Sequence, residues 1–166
     1  MAIDPGVHHS GVAMFTDNFL RCAFLCRPAK QVEIGPHAWT AMADAVQKSA
    51  ASRWFSPGRV VIEFPRAYQG GKQQANNDDL LELAGVVGAI VDRMWALTPN
   101  IAYFRPSEWK GQLKKEQTTP RIIERLSVPE QAAIEHVGAK DHNIYDAIGI
   151  GLYDIGRFER RMVYAR

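Results

Sequence analysis

The chain of 166 residues carries 20 Lys and Arg against 18 Asp and Glu, with 46% apolar and 23% charged residues; it suits a globular protein with one substantial core and is too short for two. No apolar run approaches the ~18 residues that span a bilayer, and the N-terminus lacks the basic-then-apolar pattern of a signal peptide, so we expect no membrane partner and a cytoplasmic location. A net charge of +2 with a pI near 8.6 is too mild to announce a nucleic-acid binder.

Ala2-Ile3-Asp4-Pro5-Gly6 reads as the end of a very short buried strand, where an apolar run stops at an acid with a turn behind it. Ser10 to Phe15 and Phe19 to Leu25 follow as strands, joined by an Asp17-Asn18 hairpin turn. Three short antiparallel strands thus open the sheet. Cys22 and Cys26 face one side of the third strand, about 13 Å apart along it, beyond disulfide reach, and are expected as buried free thiols. Pro36 starts a helix in which Trp39, Met42, Ala43, Val46 and Ala50 recur at helical spacing. Pro57-Gly58 breaks it and launches a strand from Arg59 to Phe64, and a helix between two strands signals a crossover to a parallel neighbour.

Arg66 to Gln74 is polar, glycine-bearing and aperiodic, so it reads as a loop beside Glu63. Asn76 to Asp79 then caps a long helix reaching Trp95. Its apolar residues form two rows, one of Leu80, Leu83, Val87, Ile90 and Met94, the other of Leu81, Ala84, Gly85, Gly88 and Val91. A helix apolar on two sides in so small a chain is expected to pack on its own sheet and on a second subunit. We place a homodimer interface at Leu80, Leu83, Val87, Ile90 and Met94, with Gly85 and Gly88 permitting close approach. Ile101 to Phe104 is a fifth strand, and Pro106 to Lys110 starts a short helical segment. Thr118-Thr119-Pro120 reads as a helix start with Pro at the first helical position. Residues 127–140 show only weak periodicity, and a last helix runs from about His142 to Arg160. With no repeat or linker, one domain covers 1–166.

Asp4, Glu63 and Asp146 each stand at the edge of an apolar element. Each has a bland reading, as a turn acid or a helix-start charge, but an unpaired glutamate inside an apolar strand is costly. Together they favour ligands for a cation. Arg105, Lys110, Lys114, Lys115, Arg121 and Arg125 cluster in sequence, opposed only by Glu108, Glu116 and Glu124.

The order of three antiparallel strands, helix, strand, helix, strand and helices, with acids on the first strand, the fourth strand and the last helix, resembles the ribonuclease-H-like nuclease fold. Its details resemble the RuvC-type Holliday junction resolvases in a compact bacterial or phage form. The residues carrying this are Ile3-Asp4-Pro5-Gly6 with Gly11-Val12-Ala13, Val61-Ile62-Glu63 before a long loop and helix, Arg105-Pro106-Ser107-Glu108-Trp109-Lys110, and His142 to Leu152. The resemblance implies an α/β fold with a five-stranded mixed sheet flanked by helices. It implies a dimeric, metal-dependent endonuclease that nicks opposed strands of four-way DNA, with two Mg2+ or Mn2+ ions per active site and no small-molecule cofactor.

Phosphodiester hydrolysis is served by two divalent ions ~3.5–4 Å apart, and hard ions take oxygen ligands. Asp4 would bridge both, Glu63 would hold one, and Asp146 with His142 the other. His142 and Asp146, at i and i+4, share a helix face. Asn143, three before Asp146, competes for the family's fourth ligand position, often an acid; we assign that place to His142 and leave Asn143 as a helix-start group or a support behind the ligands. Lys110 matches a phosphate-contacting lysine of the family, Lys114 and Lys115 extend its track, and the loop adds Arg66, Lys72 and a wedge, Tyr68. The alternatives are a relative that trims ribosomal RNA precursors and an inert branched-DNA binding module. The two-sided helix and aromatic loop argue against the first, and the three retained acids against the second.

Overall fold

The computed structural model describes residues 1–29, 33–53, 56–65, 77–111, 113, 115–138 and 141–158. Its strands are β1 (Ala2–Asp4), β2 (Ser10–Thr16), β3 (Phe19–Cys26), β4 (Val60–Glu63) and β5 (Ile101–Phe104). Its helices are α1 (Pro36–Ser52), α2 (Asn77–Trp95), α3 (Pro106–Trp109), α4 (Lys115–Ile123), α5 (Val128–Ala132) and α6 (Asp141–Asp154). Asp17 and Asn18 take positive φ of 52° and 62°, the left-handed pair that turns a hairpin with the natural twist of its strands. They join β2 to β3, and β1 adds antiparallel to β2.

The α1 and α2 crossovers bring β4 parallel to β1 and β5 parallel to β4, giving the order β3-β2-β1-β4-β5. Side chains alternate between the two faces of a strand. Ile3, Val12, Met14, Val60 and Ile62 point to one face and pack with Met42 and Val46 of α1 and Val87, Ile90 and Met94 of α2. Ala2, Ala13 and Val61 point to the other, against Ile144, Ile148 and Leu152 of α6 and against Trp109 and Ile122. By the same alternation Asp4 follows Ala2, and Glu63 follows Val61, onto the α6 face. The free cysteines Cys22 and Cys26 share the α1 face.

Several elements differ from the sequence expectation. Val87, Ile90 and Met94, assigned to a subunit interface, are buried in the chain's own core, because α2 must turn that row inward to close the crossover onto β4 and β5. Leu80 and Leu83 of the same row are half-buried. The outward stripe is Leu81, Ala84, Gly88 and Trp95, with Leu81 68% and Trp95 61% exposed. Gly85 is covered by the Trp39 ring, which a side chain there would strike. Helix α4 begins at Lys115, so Pro120 lies inside it and forfeits one helix bond rather than starting the helix. Between 127 and 140 the chain forms α5, and Ile134 then pairs with Ala23 on the outer edge of β3. Helix α6 ends at Asp154, where Gly156 at φ 73° turns the chain and Arg157 N–H returns to Leu152 O at 2.8 Å.

Candidate active site

The register of the two central parallel strands sets the site. Ile3 pairs with Ile62, so their successors Asp4 and Glu63 leave the sheet side by side. The turn after Asp4 is fixed by Ser10, a fully buried residue whose hydroxyl accepts from Gly6 N–H at 3.1 Å and donates to Gly6 O at 3.2 Å. Opposite Asp4 in the ladder is Gly11. A side chain at Gly11 would run into the backbone carbonyl of Asn143, so the start of α6 rests directly on β2. The Asn143 amide also donates to His9 O at 3.3 Å. Docked this way, α6 presents Asp146 to the two strand carboxylates.

The cation among them is the protein's own. Lys110, just past α3, places its ammonium 3.2 Å from Asp146 Oδ2 and 3.7 Å from Glu63 Oε2. These side chains are largely withdrawn from solvent, at 23% exposure for Lys110, 16% for Glu63 and 21% for Asp146. Burial pulls Lys110 down, but the charges of Glu63, Asp146 and Asp4 outweigh it and hold the ammonium above its ordinary value. Burial pushes the carboxyl of Glu63 up, despite Lys110 and a hydrogen bond from Trp109. That bond runs from the indole Nε1 to Glu63 Oε2 at 2.6 Å. The Trp109 ring is itself buried against Gly149 and Ile122, and a side chain at Gly149 would collide with it. Trp109 thereby ties β4 to α6.

No protein-family model matches this sequence, and no curated protein does. Solved structures are similar. RuvC of Thermus thermophilus in complex with a Holliday junction substrate superposes with a TM-score of 0.64 at 16% identity, over 94% of each chain. The structure of Thermus thermophilus RuvC gives 0.57 at 14% identity, over 94% of this chain and 95% of that one. The yeast mitochondrial Holliday junction resolvase Ydc2 gives 0.58 at 11% identity, over 90% of this chain and 74% of that one. The chain has the ribonuclease-H-like fold of the RuvC resolvases.

Within this RuvC-like fold the structure brings Asp4, Glu63, Asp146 and Lys110 together. His142 lies half-buried in the first turn of α6, beside Asn143. Arg66, Tyr68, Lys72 and Lys114 fall outside the described residues, as does the side chain of Lys115. Among the described residues no three His, Cys, Asp or Glu side chains are arranged to hold a metal ion as they stand. An all-oxygen donor set already collected around one positive charge is nevertheless of the kind that hard divalent ions take, and in that chemical sense the residues fit such an ion. Among the described residues no helix is long and apolar enough to cross a membrane.

Sequence reasoning assigned no role to Trp109. A clue was present, since a tryptophan in an apolar setting needs an acceptor for its N–H, but nothing in the spacing names Glu63 as that acceptor.

Proposed function

We propose that this chain is a metal-dependent endonuclease that cleaves four-way DNA junctions, acting as a single domain in the cytoplasm during recombination and repair. The observation that carries the reading is the meeting of Glu63 and Asp146, from two elements of a RuvC-like fold, on one ammonium whose charge Asp4 also supports. Asp4, Glu63 and Asp146 would hold the divalent ions, Mg2+ or Mn2+, with His142 completing the set. Bound there, the ions would activate water and stabilise charge on the phosphodiester. Trp109 fixes one oxygen of Glu63 and leaves Oε1 for a ligand. Asn143 holds α6 to the turn after Asp4, which keeps Asp146 at its distance from the strand acids. Lys110 supplies the positive charge nearest to an incoming phosphate, and the loop bearing Arg66, Tyr68 and Lys72, with Lys114 and Lys115, would carry the rest of the DNA contact.

Two opposed strands of a junction require two sites related by a two-fold axis. The outward stripe of α2, with Leu81, Ala84, Gly88 and Trp95, supports a homodimer through that face. L81D is expected to give a folded monomer by light scattering, whereas V87D, in the core, is expected to unfold; a wild-type chain that is monomeric at micromolar concentration would sink the dimer.

The deciding assay compares cleavage of four-way junction, duplex, flap and structured RNA by the wild type and D146N, with Mg2+, with Mn2+ and with EDTA. Junction cleavage that needs a divalent ion and Asp146 is the expected result. Preference for structured RNA would overturn the DNA assignment, and activity retained in D146N would overturn the site.

A further inference from the structure

We propose that Lys110 is a resident cation, which holds the carboxylates together when no divalent ion is bound and is displaced when one enters. The proposal rests on the nuclease reading only for the nature of the incoming ion. Its ammonium lies 3.2 Å from Asp146 Oδ2 and 3.7 Å from Glu63 Oε2, so it already bridges two of the three carboxylates that would receive the ion. Glu63 and Asp146 are two carboxylates bridged by one ammonium, and the negative charge left over would draw a divalent ion in. Once there, ion and ammonium repel each other at short range, in surroundings that screen charge poorly. The two are alternatives.

The tether permits the exchange. Lys110 caps α3 at φ −100° and ψ −14°, and its N–H is bonded to Pro106 O at 3.0 Å. Its neighbour Trp109 is anchored on Glu63 and packed against Gly149. The backbone is therefore held, and the freedom resides in the four-carbon side chain. The ammonium also lies 4.7 Å from the centre of the Trp109 ring, a cation–π contact that keeps it over the site until a stronger charge replaces it. Displaced, it becomes available to a phosphate. Ion binding and phosphate binding are thus linked through one side chain, and each favours the other by the same factor.

The test measures Mn2+ binding to the full chain without DNA, reading free Mn2+ by electron paramagnetic resonance, alongside melting in EDTA and in Mn2+. K110M and K110Q should bind Mn2+ about tenfold more tightly than wild type, the size of a coupling between contacting charges, while K110R stays near wild type. In EDTA, K110M and K110Q should melt below wild type, because their carboxylates have lost their counterion, and their gain in Tm on adding Mn2+ should exceed that of wild type. Should K110M fail to fold under both conditions, K110Q decides. Binding in the neutral variants equal to or weaker than wild type, or an equal gain in Tm, overturns the proposal. Tighter binding in those variants by a protein that cuts no junction would sink the nuclease reading and leave this one standing. Metal-dependent cleavage without that order would do the reverse, and a wild type with its variants all blind to Mn2+ would end both.

Discussion

Two clusters in this protein pair carboxylates with a cation out of solvent, and they are built in opposite ways. Glu130 is 1% exposed and faces five donors, Leu20 N–H, Ser127 N–H and hydroxyl, and both Nη groups of Arg157. Every bond closes a piece of structure, joining the start of β3 to α5 and to the chain after α6. Chiefly through the Arg157 hydrogen bonds, its carboxyl is held at about 2 against an ordinary 4.5. At the other cluster Glu63 and Asp146 share, among the described residues, one lysine, and burial pushes Glu63 up. A saturated carboxylate is a fastener. An under-supplied one, held by a cation on a flexible stem, is disposed to take another partner.

The strongest break of this comparison is in activity. D146N and D4N should abolish cleavage while leaving junction affinity largely intact, and D146N should melt no lower than wild type, since it removes charge where two carboxylates share one ammonium. A loss of stability in D146N would mean that the cluster is a fastener too. Next comes Trp109: W109F keeps the packed ring and removes the donor to Glu63, and should lower cleavage by about 10–100-fold, as loss of a group orienting a ligand does. Its stability should fall by only about 1 kcal/mol, which urea titration would show.

E130A should do the converse, costing about 2–3 kcal/mol of stability because Arg157 loses its carboxylate and the Leu20 and Ser127 N–H groups lose their acceptor, with cleavage per folded molecule unchanged. The acid limb sharpens this further. Glu130 has its folded pKa depressed, so its stabilisation is present above about 4.5 and is lost as pH falls from there towards 2. Denaturation followed across that window should show a shallower loss for E130Q than for wild type. Equal slopes would show that Glu130 is not the fastener described.

The five strands, the hairpin turn and the positions of the three acids at strand or helix edges were legible because each is written locally, as an apolar run that stops at a carboxylate or as a pair of residues that accept positive φ. Helix α2 shows where local reading fails. Periodicity reveals two apolar rows, and only the crossover geometry decides that Val87, Ile90 and Met94 turn inward. The bond between Trp109 and Glu63 spans 46 residues and has no trace in spacing. Segment 127–140 was readable after all: Ser127-Val128-Pro129-Glu130 is a helix-start pattern, and Glu130 does accept from Ser127 N–H at 2.9 Å. Its pairing with Arg157, by contrast, needed the fold.

The contact between Gly11 and the Asn143 carbonyl gives the site an uneven stiffness. Main chain lies against main chain there, with no rotamer between them to absorb a displacement, so β2, β1 and the first two turns of α6 behave as one hard jaw carrying Asp4 and Asp146. The opposite jaw is lined by Glu63 and by the stem of Lys110, whose torsions are soft. An incoming ion or strand would therefore meet its softest resistance from the stem of Lys110, and any bulk added at position 11 would shift Asp146 together with its whole helix.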